Sequence, residues 1–233
     1  MKLYILRHGT TNWNQERKIQ GSSDIPLDAQ GEDLARITGR ALFQQGIVFQ
    51  KVYSSPLKRA VRTAELVAPQ NSIQTDVRLK ELSFGPFEGH RVPELEKEEK
   101  NPFRLFHSHP EMYNEALLKL ETEECRKGYE SLTTLLQRAK NFMANVIEPL
   151  IKETPENVNL LISGHGALNR ALIMYMRGLD DFKEFWGIGL QTNCGFCVVN
   201  MTVSGDGSIR YTIEDENKVF FDPIALQIPN LLD

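Results

Sequence analysis

MKLYILRHGTTNWN, residues 1–14, contains a short apolar run, Leu3–Leu6, that leads directly into Arg7, His8 and Gly9. The segment KLYILRH predicts a β-strand. One interpretation of the residues after this strand is a surface turn in which Gly9 supplies the bend and His8 is incidental. The other is that the strand is a rigid support and its carboxyl end holds a reactive histidine.

The rest of the chain alternates strand-like and helical segments. We expect strands at 51–55, 72–76, 159–163, 194–203 and 208–214, and helices at 28–46, 56–68, 129–152 and 167–176. Such alternation predicts a three-layer α/β/α fold with a mostly parallel central sheet.

The segment from about 90 to 128 breaks this alternation. It is rich in Glu, Lys, Pro and His and has no strand-like apolar run. We interpret it as a helical insertion that caps the active site, within a single domain that spans residues 1–233.

Composition excludes some partners. The 233 residues are 41% hydrophobic and 25% charged, with a formal net charge of −4. No global basic surface exists for nucleic acid or an anionic membrane, so an anion site must come from a local concentration of arginines. No stretch is long and apolar enough to span a bilayer, and the expected compartment is the cytoplasm.

Two sequence features lie outside this pattern. Cys194 and Cys197 have the spacing of a redox or zinc pair, but a β-branched segment follows them, so we expect buried strand cysteines; Cys125 is the third. The apolar tail 220–232 is expected to pack on the protein's own core or on a partner, which leaves the oligomeric state open.

Charged residues and histidines follow several of the predicted strands. Arg7–Gly9 ends the first strand, Arg59 lies in the helix after the second, Glu81 follows the third, and Gly164–Gly166 ends the fourth. Ligands of open α/β sheets bind at the carboxyl ends of the strands, so these residues can meet in one crevice. Arginines and helix N-termini both favour a phosphate dianion.

These motifs resemble those of the histidine phosphatase superfamily, which has the phosphoglycerate mutase-like fold, over nearly the whole chain. The matching segments are RHG with Asn14, QG at 20–21, SSPLKRAVRTAELV, RLKELSFGPFEG and SGHGALNRAL. The resemblance implies that His8, Glu81 and His165 are catalytic. It also implies that phosphate is bound by Arg7, Asn14, Gln20, Gly21, Arg59 and Gly166.

The resemblance further implies a mechanism without metal or cofactor. His8 attacks phosphorus, Glu81 protonates the leaving oxygen, and the arginines supply the positive charge. Glu88 is a rival for the acid, and Arg62 is interpreted as solvated or ion-paired. Gln20 is as well explained by a turn as by phosphate.

A metal site is the competing interpretation of the insertion. His107, His109 and Glu111 have a spacing that a metal can use, but no further ligands accompany them, and we take them as surface residues. Instead, the aromatic residues Phe106 and Tyr113 are expected to form the wall of a substrate pocket.

Three functions remain open. A phosphomonoester hydrolase for small phosphorylated metabolites is preferred over a cofactor-dependent phosphoglycerate or phosphosugar mutase, and over a non-catalytic phospholigand-binding regulator. In the mutase branch the acid is followed by Arg-His-Tyr-Gly, whereas Leu82–Gly85 follow Glu81 here. The branch also has paired arginines and a lysine, where this chain has single Arg104 and Arg126 and Val92.

Overall fold

A six-stranded sheet forms the centre of the protein. The computed structural model describes residues 1–95, 97, 101–120, 127–153 and 158–221. The strands are β1 (Lys2–Arg7), β2 (Lys51–Ser54), β3 (Ile73–Thr75), β4 (Asn159–Gly164), β5 (Phe196–Val203) and β6 (Ile209–Lys218), in the order β3-β2-β4-β1-β5-β6. Pairing is parallel from β3 to β1, and β5 is antiparallel to both of its neighbours. The predicted mostly parallel sheet is confirmed.

Helices cover both faces of the sheet. One face carries α2 (Ala29–Gln44) and α3 (Lys58–Val67). The other carries the long helix α7 (132–153) and helix α8 (Gly166–Arg177). Helix α7 runs from Leu132–Phe142 through a π-helical turn, Met143–Ile147, into Glu148–Glu153. This arrangement confirms the three layers.

The insertion is helical, as predicted. It contains α4 (Val92–Leu95), α5 (Pro102–Ser108) and α6 (Pro110–Leu118), and a four-residue helix α1 (Asn12–Gln15) follows β1. Phe103 and Phe106 are buried in the same apolar cluster as Leu3 and Ile5 of the central strand. The insertion therefore packs onto the core of the domain.

Two boundaries differ from the sequence prediction by three residues or more. Helix α7 begins at Leu132 rather than at Tyr129, because the Ser131 hydroxyl accepts a hydrogen bond from Thr134 N (3.1 Å) and caps the helix there. Strand β6 extends to Lys218, beyond the predicted end at 214, since its pairing with β5 continues to Phe196.

Both described cysteines are buried, and burial raises the pKa of each thiol to about 12. Cys197 lies in β5 as predicted. The strand assignment of Cys194 is wrong: it occupies a turn before β5 with a φ of 57°.

Phe220 and Phe221 are buried, whereas Cys125 and the remainder of the tail lie outside the described residues. Among those described, no helix is both long and apolar enough to cross a membrane.

Candidate active site

Two neighbouring parallel strands place the two predicted histidines side by side. Arg7 of β1 is in register with Gly164 of β4, and each strand ends there, so His8 and His165 are the next residues of adjacent strands. Their ring centroids lie 5.3 Å apart, and both side chains are buried. The register of the sheet therefore builds the centre of the site.

The ring of His8 is held in one tautomer. Its Nδ1 lies 2.7 Å from the carbonyl oxygen of Gly9. A carbonyl can only accept, so we assign the proton to Nδ1, which leaves a lone pair on Nε2. Burial, followed by the charges of Arg59 and Arg7, holds the pKa of His8 well below its usual range. The free Nε2 is thus a neutral nucleophile.

The backbone beside His8 is fixed by two residues to which no role was assigned from the sequence. Gly9 N donates to Thr63 Oγ1 (3.0 Å), and Asn193 Nδ2 donates to the carbonyl of His8 (2.9 Å). A Cβ on Gly9 would lie 2.6 Å from the carbonyl oxygen of Gly31, so glycine is required by this close approach.

Arg7 and Arg59 bring two guanidinium groups to the same place. Arg7 donates to the carbonyl of Gln191, and Arg59 donates to the carbonyls of Gly21 and Ser23, both at 2.7 Å. Burial lowers the pKa of each arginine to about 10, which leaves both protonated at neutral pH. The site is therefore cationic.

Several buried polar side-chain atoms, most of them in the arginines and in His165, have no hydrogen-bond partner among the described residues. They are Nε of Arg7, Nε of Arg59, both ring nitrogens of His165, and Oε1 of Gln20. Burying an unpaired polar group costs about 1–3 kcal/mol, so buried groups of this kind call for an explanation. The oxygens of a phosphoryl group would provide acceptors for the donors in this set.

Of the other predicted phosphate ligands, Gly21 is bonded to Arg59 and Gly166 adjoins His165, whereas the side chain of Asn14 is bonded to Thr11. Gly21 has a φ of 49°, and its carbonyl is bound by Arg59. The Asn14 side chain accepts hydrogen bonds from Thr11 and caps helix α1. Gly166 is the first residue of α8, so its N–H belongs to the helix-terminal donors that lack an intrahelical acceptor.

The carboxylate of Glu81 lies against the amino end of α8. Its Oε1 accepts from Leu82 N (2.8 Å) and Leu168 N (3.0 Å), and its Oε2 accepts from Ala167 N (3.0 Å). The rival Glu88 is bonded elsewhere, to the backbone N–H groups of Ser22, Ser23 and Phe84. The structure therefore brings Glu81 to the histidines and uses Glu88 to hold the loop at 22–23.

The backbone of His165 is anchored by a buried amide chain. His165 N donates to Asn169 Oδ1 (3.3 Å), Asn169 Nδ2 donates to Gln191 Oε1 (2.8 Å), and Gln191 Nε2 donates to the carbonyl of Ile5 (3.3 Å). Asn169 lies four residues after His165 in the last motif, and this spacing is the signal from which it could have been found. Gln191 has no such signal.

Arg62 points away from the site. It forms ion pairs with Glu32 (2.8 Å) and Glu65 (3.1 Å). The interpretation of Arg62 as an ion-paired residue is confirmed.

The two predicted cap residues are buried rather than exposed. Tyr113 is fully buried, and its hydroxyl donates to the carbonyl of Glu130 (3.3 Å). Phe106 is 3% exposed and packs against Phe84 and Trp186. The structure does not bring either ring to a pocket surface, because both fill the aromatic core that joins the insertion to the domain.

The candidate metal ligands of the insertion make different contacts. His107 stacks on Trp186 with an angle of 4° between the rings, and His109 Nδ1 lies 3.4 Å from Glu111. In the described part of the chain, no group of three or more His, Cys, Asp or Glu side chains could hold a metal ion.

The buried histidines predict a steep acid dependence of stability. Burial and the nearby Arg59 hold the pKa of His165 well below its usual range, as for His8. Below about pH 6.5 the unfolded chain takes up protons that the folded protein does not. As the pH is lowered below this value, the free energy of unfolding should therefore decrease, by up to about 1.4 kcal/mol per pH unit for each histidine.

Urea denaturation of His165→Gln in phosphate-free buffer measures this effect. Between about pH 6.5 and pH 5, the unfolding free energy of this variant should change less steeply with pH than that of the wild type. The difference in slope should be at most the contribution of one histidine. His109→Gln, which removes an exposed histidine, is the matched control. Parallel curves for wild type and His165→Gln would contradict the prediction.

Comparison with known proteins agrees with this geometry. The sequence model of the histidine phosphatase superfamily (branch 1) matches residues 3–212. "Probable phosphoglycerate mutase GpmB" of Salmonella typhi is 32% identical over 186 residues, which are 79% of this chain and 78% of that protein.

Solved structures have the same fold. YhfR of Bacillus stearothermophilus is 25% identical with a TM-score of 0.73, over 94% of this chain and 99% of that one. A mycobacterial glucosyl-3-phosphoglycerate phosphatase is 23% identical with a TM-score of 0.69, over 93% and 98% of the two chains. At that identity the second likeness concerns the fold alone.

Proposed function

The chain belongs to the histidine phosphatase superfamily (branch 1), and on that premise we propose that it hydrolyses small phosphate monoesters through a phosphohistidine on His8. The observation that carries the proposal is the tautomer of His8. The Gly9 carbonyl binds Nδ1, so Nε2 is the ring nitrogen with a free lone pair.

The first step is an in-line displacement at phosphorus. His8 Nε2 forms a bond to phosphorus while the bond from phosphorus to the ester oxygen breaks, and Glu81 gives its proton to that oxygen. Charge on the transferring group is stabilised by Arg7, Arg59 and His165. The Nε atom of each arginine and both ring nitrogens of His165 lack partners among the described residues.

The second step returns the enzyme to its starting state. Glu81 takes a proton from water, the water oxygen attacks phosphorus, and the bond to His8 Nε2 breaks. Inorganic phosphate leaves, and Glu81 is again protonated. Both steps use the same cationic groups, which need no adjustment between them.

Hydrolysis is favoured over phosphoryl transfer between substrates by the surroundings of the acid. Phe84 has no hydroxyl, and its ring is buried against Phe103 and Phe106 at centroid distances of 5.4 and 5.0 Å. Arg104 of the insertion is exposed and has no neighbouring arginine in the sequence. A mutase must retain its phosphorylated intermediate by binding a second anionic group of it, and these residues do not supply a site for such a group.

A phosphate-release assay separates the candidate functions. We expect a panel of monoesters to release inorganic phosphate, and 3-phosphoglycerate supplied with a bisphosphorylated primer to lose phosphate rather than isomerise. Isomerisation with retention of phosphate would support the mutase instead. Binding of the esters without phosphate release or isomerisation would support the non-catalytic regulator.

The arginines also predict insensitivity to chelators. Arg7 and Arg59 supply fixed positive charge where phosphoryl charge develops, which is the role that Mg²⁺ has in many phosphoryl-transfer enzymes. Activity should survive dialysis against excess EDTA and should not rise when magnesium is added. Loss of activity on dialysis and its recovery with a divalent ion would contradict the mechanism.

A further inference from the structure

An apolar segment lies beside the acid and has no role in the two chemical steps of hydrolysis. Residues 185–191, FWGIGLQ, carry no charge, yet Ile188 and Leu190 are 69% and 46% exposed. Large apolar side chains on a surface need no explanation when isolated, but two on one short segment at a ligand site do.

The segment is tethered at both ends. At one end Trp186 Nε1 donates to the carbonyl of Phe106 in the insertion (2.8 Å), and buried Arg170 donates from Nε to the carbonyl of Phe185 (2.9 Å). At the other end the Gln191 carbonyl is bound by Arg7. The exposed residues are thus held between the insertion and a phosphate-binding arginine.

Leu190 lies next to the acid. A Cβ placed on Gly166 would be 2.6 Å from Leu190 Cδ1 and 3.5 Å from Glu81 Oε2. The methyl group and the carboxylate oxygen therefore flank one point at the start of α8. Glu81 must come within hydrogen-bond distance of the leaving oxygen, so the group attached to that oxygen passes beside Leu190.

We propose that Leu190, with Ile188, forms the leaving-group wall and selects monoesters with an apolar aryl or alkyl group next to the ester oxygen. The inference rests on the proposed hydrolysis and names its substrate class. A carboxylate in the same place would lose hydration against the methyl groups, and segment 185–191 offers it no cation. Phe106 then contributes by anchoring the wall through its carbonyl.

The test compares two esters in two variants. Kinetics with 2-naphthyl phosphate and 3-phosphoglycerate are measured for wild type, Leu190→Ala and Val203→Ala. Val203 is the matched control, since it is also 46% exposed but lies at the far end of β5, near the amino end of β1. Inhibition by inorganic phosphate reports the phosphoryl site alone.

We expect wild type to prefer the naphthyl ester. Leu190→Ala should lower kcat/KM for that ester about tenfold, mainly through KM, because buried apolar area is lost. Its kcat/KM for 3-phosphoglycerate, and its inhibition by phosphate, should change less than about twofold. Val203→Ala should behave as wild type. An equal loss on both esters, together with weaker phosphate inhibition, would show that the segment only supports Arg7 and would overturn the inference.

Binding separates this inference from the proposed hydrolysis. The same two esters are titrated into His8→Ala and into His8→Ala combined with Leu190→Ala, and dissociation constants are compared by calorimetry. The Leu190→Ala change should selectively weaken binding of the naphthyl ester, even if the wild-type protein releases no phosphate. Equal affinities in the two proteins would refute the leaving-group wall whatever the outcome of the hydrolysis assay.

Discussion

His8→Ala is expected to lower kcat for phosphate monoesters by about 10⁴ or more, the scale on which loss of a covalent nucleophile acts. Nε2 is the atom that receives the phosphoryl group, and an alanine offers no substitute. Wild-type protein quenched during turnover of a radiolabelled ester should carry an acid-labile, base-stable adduct, and the variant should carry none. Phosphate-release rates and the trapped label measure both effects.

The fold should survive this substitution. The sheet register at Arg7 and Gly164, and the bond from Gly9 N to Thr63, do not depend on the imidazole. Thermal unfolding of the variant checks this, and His109→Ala is the matched control because its ring is exposed and lies in the insertion. Near-normal hydrolysis by a folded His8→Ala protein would exclude the phosphohistidine mechanism.

The centre of the site is predictable because it is local in the chain. His8 and His165 each follow a short apolar strand directly, and parallel strands that end together place the next residues side by side. Arg59 is equally local, since it sits in the first turns of the helix that follows β2. For such residues a motif and an element boundary are sufficient.

The supports of the site could not be predicted, because they come from distant parts of the chain. Asn193 reaches the carbonyl of His8 from 185 residues away, and Gln191 reaches Arg7 from 184 residues away. No spacing in the sequence links such pairs. Only the antiparallel return of β5 beside β1 brings them together.

The direction of the insertion's aromatic residues was equally hidden. An apolar side chain in a short helix can face a ligand or the core. No residue near Phe106 in the sequence decides between these two orientations. Trp186 decides it for Phe106, since it packs on that ring and donates to that carbonyl. The exposed apolar side chain beside Glu81 is that of Leu190 instead, and Ile188 of the same segment is exposed as well.

The preference for Glu81 over Glu88 comes from its place in the motif, and the structure adds how the bonding of the two carboxylates differs. Glu88 accepts three backbone N–H bonds from Ser22, Ser23 and Phe84, and further bonds from the serine hydroxyls. Glu81 also accepts three backbone N–H bonds, but among the described residues only one of them, from Ala167 N, goes to Oε2. A carboxylate has about four acceptor positions, so Oε2 retains room for a proton directed at the substrate.

Glu81→Gln should therefore reveal an effect that depends on the leaving group. An alkoxide is a poor leaving group and needs the proton, whereas p-nitrophenolate departs without one. We expect kcat/KM to fall about 10³-fold for an alkyl phosphate and about tenfold or less for p-nitrophenyl phosphate. Glu88→Gln removes a carboxylate from the same stretch of chain, and it should lower the unfolding temperature while changing both esters by the same small factor. If Glu81→Gln slowed the two esters equally, Glu81 would be orienting α8 through its bonds to Ala167 and Leu168, and the proton would have to come from elsewhere.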